Sequence, residues 1–129
     1  MDKTFLHYVE DACNDLKTKI HEKIVSDIPP PNAESTLERK APKTHTLIDT
    51  GELLGSITYK ISNTEDTIIG EVGIFEEKLL ERALANEYGT DRIPARSFLR
   101  STYDENIDKI LNKLQENFLK EVDDKWLQQ

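Results

Sequence analysis

Apolar residues at Phe5, Val9, Ala12, Cys13, Leu16, Ile20 and Ile24 recur every three or four positions, which predicts one amphipathic helix over residues 5–28. The run Pro29–Pro31 stops it, because proline lacks an N–H and disfavours helix in the residue before it. Residues 32–46 hold one large apolar residue, Leu37, and no period, so a flexible loop is expected there. Asp49 or Thr50 is placed to cap a short helical turn over 51–55. Ile57, Tyr59 and Ile61 then alternate with polar residues, and Ile68, Val72 and Ile74 share a second face. The two runs predict an antiparallel hairpin around "SNTED", with Gly70 and Gly73 marking a bulge or a close backbone approach.

Further on, "EEKLLERALANEYG" reads as a helix with Leu80, Ala83, Leu84 and Tyr88 as its buried stripe and Gly89 as its stop. The last helix is expected over 102–127, opened by a Ser101–Asp104 capping pair. Its stripe is Tyr103, Ile107, Ile110, Leu111, Leu114, Phe118, Val122 and Trp126. The order of elements is that of an α+β fold: a small antiparallel sheet packed by a long N-terminal helix, a short middle helix and a long C-terminal helix. With 129 residues the chain is expected to form a single domain, 1–129.

Between the last two helices, residues 91–100 cannot continue a helix, because Pro94 forces Ile93 to be extended. In an extended chain Arg92, Pro94, Arg96, Phe98 and Arg100 point one way, and Ile93, Ala95, Ser97 and Leu99 the other. Two readings stand side by side. One is an edge strand with solvated arginines, in this chain or across a subunit boundary. The other is a docking strip whose planar guanidinium groups meet carboxylates. Glu87 is the first candidate partner for Arg96, since the Gly89–Thr90 turn lets the chain fold back.

Charge sharpens this picture. The net charge is −8, which argues against a general nucleic-acid binder. Residues 63–87 carry seven acids and two bases, net −5, whereas 88–100 carry three arginines and one aspartate, net +2. A basic island in an acidic chain suits contact with an acidic surface, a second copy included.

The candidate chemistry is sparse. His7, His21 and His45 lack metal-ligand spacing, and Cys13 sits on the apolar stripe of the first helix as a small core residue. Glu76-Glu77-Lys78 with Asp66 or Glu71 only loosely resembles the acid-plus-lysine spacing of metal-dependent nucleases, and the same triplet is common at helix starts. No phosphate-binding glycine loop, zinc motif or nucleophile elbow is present. No enzymatic activity, catalytic residue, metal or cofactor is expected. No apolar run reaches the roughly 20 residues of a membrane span, and the N-terminus has no signal-peptide pattern.

Two stretches carry a resemblance. "LIDTGELLGSITYKI", residues 47–61, is similar to the pattern Leu-x-x-Thr-Gly-x-Leu-x-x-Ser-Ile, matched by Thr50, Gly51, Leu53, Ser56 and Ile57. "ALANEYGTDRIPARSFLRSTYDEN", residues 83–106, is similar to Glu-aromatic-Gly-Thr followed by Ile-Pro-Ala-Arg-x-Phe-Leu-Arg. Glu87, Tyr88, Gly89, Thr90, Pro94, Ala95, Arg96, Phe98, Leu99 and Arg100 match it. Together they resemble the tail-completion and head–tail joining (neck) proteins of tailed bacteriophages, including the Mu-like virion-morphogenesis family. Ser97 departs from the pattern, where the family usually has a second proline.

The resemblance implies a structural protein rather than an enzyme. It would act in the neck or tail of the virion and lie in the host cytoplasm during assembly. Its partners would be copies of itself in a cyclic ring, a hexamer among the options, and other neck and tail proteins. DNA would pass through the ring without specific binding. Thr50, Gly51, Leu53, Ser56 and Ile57, and Glu87, Tyr88, Gly89, Thr90, Pro94, Ala95, Arg96, Phe98, Leu99 and Arg100, would be assembly or structural residues. A small metal-dependent nuclease and a cytoplasmic adaptor for an acidic partner are the alternatives.

Overall fold

The computed structural model describes residues 3–26, 52–92 and 94–124. Their elements are α1 (Lys3–Val25), α2 (Glu52–Ser56), β1 (Ile57–Asn63), β2 (Ile68–Ile74), α3 (Glu77–Tyr88) and α4 (Arg100–Val122). The fold is α+β, with two long helices and a two-stranded antiparallel sheet among the described residues. The proline stop at 29–31, the expected loop at 32–46, the alternative caps Asp49 and Thr50, and Gly51, Ile93 and Trp126 lie outside the described residues.

α1 is the central element. One side of it covers the hairpin and the other packs along α4. The two helices run antiparallel. Near the start of α1, Phe5 meets Phe118 edge to face with ring centroids 4.9 Å apart. Near its end, Lys23 Nζ lies 2.8 Å from Glu105 Oε1 at the start of α4. The stripe read from the sequence is the face used, with Cys13, Ile20 and Ile24 buried and Phe5, Val9, Ala12 and Leu16 half-buried.

The hairpin pairs without a bulge, from Ile57↔Ile74 through Tyr59↔Val72 and Ile61↔Gly70 to Asn63↔Ile68. Its turn is closed by the Thr64 N–H on the Thr67 carbonyl at 2.8 Å. The hydroxyls of Thr64 and Thr67 both donate to the Asp66 carboxylate. Gly70 marks a close approach rather than a bulge. A Cβ there would land on Cys13 Sγ and lie 3.1 Å from Val9 Cγ1, so the glycine is what lets α1 settle on the sheet. Gly73 has open space around it and carries no such constraint.

The main core lies at the other end of α1. Ile20 and Ile24 meet Leu53 of α2, Ile57 of β1, Ala83 of α3 and Phe98, with Leu16, Leu54, Val72, Ile74 and Leu99 packed around them. Phe98 is fully buried. α3 sits on this core with a different face from the expected one. Leu79, Ala83 and Glu87 point inward, while Leu80, Leu84 and Tyr88 are exposed. Of the predicted stripe only Ala83 is buried.

α4 begins at Arg100, and its inward residues are Thr102 and Ile110, both buried, with Ile107, Leu114 and Phe118 half-buried. Tyr103, Leu111 and Val122, expected inside, are exposed. Residues 94–99 form no strand among the described residues, because the sheet has only β1 and β2. Residues 94–97 have no regular structure, and the chain bends at Phe98 and Leu99 directly into α4.

Candidate functional site

The site grows out of the end of α3. Gly89, at φ 79°, ends that helix, and its N–H closes on the Ala85 carbonyl at 2.8 Å. The chain reverses over residues 89–92, where the Thr90 hydroxyl oxygen accepts the Arg92 N–H at 3.2 Å. The reversed chain is fastened to α3 by the Arg96 N–H, which donates to the Asn86 carbonyl at 2.6 Å. Residues 96–99 are thereby laid beside the last turn of α3, where Glu87 points inward.

Glu87 is 7% exposed, and its carboxylate accepts four hydrogen bonds. Oε1 takes the Ser97 hydroxyl at 2.8 Å and the Arg100 N–H at 2.8 Å. Oε2 takes the Phe98 N–H at 2.8 Å and the Leu99 N–H at 3.0 Å. These three N–H groups open α4 and have no carbonyl four residues back within the helix to bond. Glu87 therefore caps α4 from another helix, with its negative charge at the positive end of the α4 dipole. Burial pushes the Glu87 carboxyl up. The bonds from Leu99, Arg100, Ser97 and Phe98 outweigh it and hold the group below the ordinary glutamate range.

Hydroxyls complete the junction. Ser97 Oγ, while donating to Glu87, accepts the Ser101 N–H at 3.0 Å, which satisfies one more of the amides that open the helix. Ser101 Oγ donates back to the Ser97 carbonyl at 2.6 Å, and Thr102 Oγ1 to the Phe98 carbonyl at 2.6 Å. Helix initiation thus lies at Ser97 and Glu87, not at the expected Ser101–Asp104 pair. The expected Glu87–Arg96 ion pair is replaced as well. The carboxylate is filled by backbone and serine donors, because three N–H groups on one turn converge on it more closely than one side chain does. Arg96 is itself buried, 5% exposed.

The other candidate residues divide by burial. Leu53, Ser56 and Ile57 of the first stretch are buried, with Ser56 Oγ donating to the Leu53 carbonyl at 2.7 Å. Of the second stretch, Glu87, Arg96 and Phe98 are buried, Gly89 and Leu99 half-buried, and Tyr88, Thr90, Pro94, Ala95 and Arg100 exposed. The two stretches meet in one core, where Leu53 and Ile57 share a cluster with Phe98 and Leu99. Beside Glu87, α3 and the start of α4 border an open cleft of about 440 Å³, its walls including Leu80, Leu84, Tyr88, Leu99 and Tyr103.

Glu87 has no lone pair left for a substrate proton. Cys13 is buried under the hairpin, and burial, with the charge of Glu10 added, raises its thiol pKa. Asp66, Glu71, Glu76, Glu77 and Lys78 are all exposed. Among the described residues no three His, Cys, Asp or Glu side chains are grouped to hold a metal ion. No helix among them is long and apolar enough to cross a membrane.

Sequence reasoning named Glu87 but gave it the wrong partner. The available signal was Ser97 followed by Ser101 and Thr102, a cluster of capping hydroxyls four and five residues apart at the point where an extended segment ends. No protein-family model, curated protein or solved structure matches the chain.

Proposed function

We propose that this chain is a structural subunit of a tailed phage or prophage, completing the tail or joining it to the head as part of a ring through which DNA passes. The observation that carries the reading is the convergence of the two resembling stretches. Separated in sequence by residues 62–82, they share one core, and within the second stretch Glu87 ties the end of α3 to the start of α4. Residues used this way build a rigid junction and leave the surface to assembly. The net charge of −8 supports the same reading, because an electronegative lumen repels phosphates and lets a genome slide. In this reading the partners are further copies of the chain and other neck and tail proteins, and the chain is not an enzyme.

Negative-stain microscopy of the purified chain, alone and mixed with tails lacking it, tests the proposal. Restored joining of heads to tails, with the chain as a ring on the tails, is expected. Mg²⁺-dependent cleavage of DNA without assembly would overturn the reading in favour of a nuclease.

A further inference from the structure

We propose that the free chain pairs with a second copy through α3, antiparallel and about a two-fold axis near Leu84. The pairing is a property of the isolated chain and does not rest on the ring reading. α3 is apolar on two adjacent rows. One is buried. The other, Leu80, Leu84 and Tyr88, is 41%, 57% and 65% exposed. At 100° per residue these three positions fall within about 80° of arc and span about 12 Å. They stand at the lip of the cleft beside Glu87, so the exposed apolar surface continues inward to Leu99 and Tyr103. A contiguous row of this kind is uncommon on a surface that stays in water.

Charge identifies the occupant. Glu77 and Glu81 lie on the solvent side of the row toward the N-terminal end of α3, and both are exposed. Arg92 and Arg100 lie beyond its C-terminal end. Both are exposed, Arg100 lines the cleft, and together they outweigh the single charge of Asp91. The row is thus apolar in the middle, acidic at one end and basic at the other. A second copy laid antiparallel sets Leu84 against its counterpart, Leu80 against Tyr88, and each acidic end against the other copy's arginines. A parallel copy would set like charges together. The surface is complementary to itself in one orientation, as a two-fold interface requires.

Sedimentation velocity of the full chain across a wide concentration range tests this. A monomer–dimer equilibrium is expected, and Leu84→Glu should weaken it by ~100-fold or more, since the two copies of this residue meet at the axis. The charge variant Glu77→Lys/Glu81→Lys should also be monomeric. Adding Arg92→Glu and Arg100→Glu to it should restore the dimer, because the charges are then exchanged end for end. Far-UV circular dichroism and melting of each variant establish that it is folded. A wild type that stays monomeric throughout, a dimer or larger species that Leu84→Glu leaves intact, or a folded fourfold variant that stays monomeric would each overturn the proposal.

Discussion

Replacing Glu87 by Gln is the sharpest perturbation of the α3–α4 junction, because it keeps the shape and removes the charge. In the wild type each carboxylate oxygen accepts two donors, Ser97 Oγ and Arg100 N on one, Phe98 N and Leu99 N on the other. A glutamine amide offers one oxygen. Its NH₂ must then face two former donors, of which at least one is a backbone N–H with no other acceptor. Hydrogen bonds to a charged group contribute about 1.5–3 kcal/mol each, and the dipole of α4 adds about 0.5–1 kcal/mol. The side chain is 7% exposed, so solvent compensates little. Loss of one such bond, weakening of the rest and loss of the dipole interaction give about 3 kcal/mol. For a chain of this size that lowers Tm by roughly 10 °C.

Urea denaturation and thermal melting at neutral pH read the effect. The pH dependence follows from linkage. The folded carboxyl titrates below its ordinary value of 4.5. Its stabilisation is therefore fully present above that value and is lost as pH falls through the lower folded value. The difference between wild type and Glu87→Gln should be flat near neutrality and shrink only below about pH 4.5. A loss under about 0.5 kcal/mol, or a difference that keeps changing between pH 6 and 8, would show that the carboxylate is not the ionised cap of α4.

Three further outcomes are expected. Gly70→Ala should destabilise by about 1–3 kcal/mol, and Cys13→Ala in the same chain should recover part of that by removing the sulfur in its way; additive losses would count against the close packing of α1 on β2. Phe98→Ala should cost about 3–5 kcal/mol by denaturant titration, since Phe98 is fully buried in the core shared by both resembling stretches, and a cost below about 1 kcal/mol would mean the segment is not anchored there. The Cys13 thiol should react with Ellman's reagent at pH 8 far more slowly in the native chain than in denaturant, because burial raises its pKa and blocks access. Equal rates would contradict its place under the hairpin.

The elements themselves were legible where apolar period and punctuation agree. The stripe from Phe5 to Ile24, the alternation from Ile57 to Ile61 and the Gly89 stop each left little choice. The orientation of α3 was not legible, for a physical reason. The doublet Leu79–Leu80 starts two apolar rows 100° apart, and periodicity favoured the row ending in Tyr88 over the one ending in Glu87. The fold buries the row with the carboxylate, which is favourable only because four donors wait for it on the neighbouring turn. That information is tertiary. Residues 94–99 were misread for a related reason. The expectation for Ile93 lies outside the described residues, but the hydroxyls of Ser97, Ser101 and Thr102 start α4 immediately after the segment, where an edge strand was one of the two readings.

The functional reading is tested most directly by asking whether the chain is part of a particle. Particles released from an induced host that carries the sequence can be purified by density gradient, analysed by mass spectrometry, and labelled with gold-conjugated antibody to this chain. The account predicts the protein in the particles at a fixed copy number, with gold at the junction of head and tail or at the tail end. Intact joined particles that lack the chain, with the protein left entirely in the soluble lysate, would contradict it.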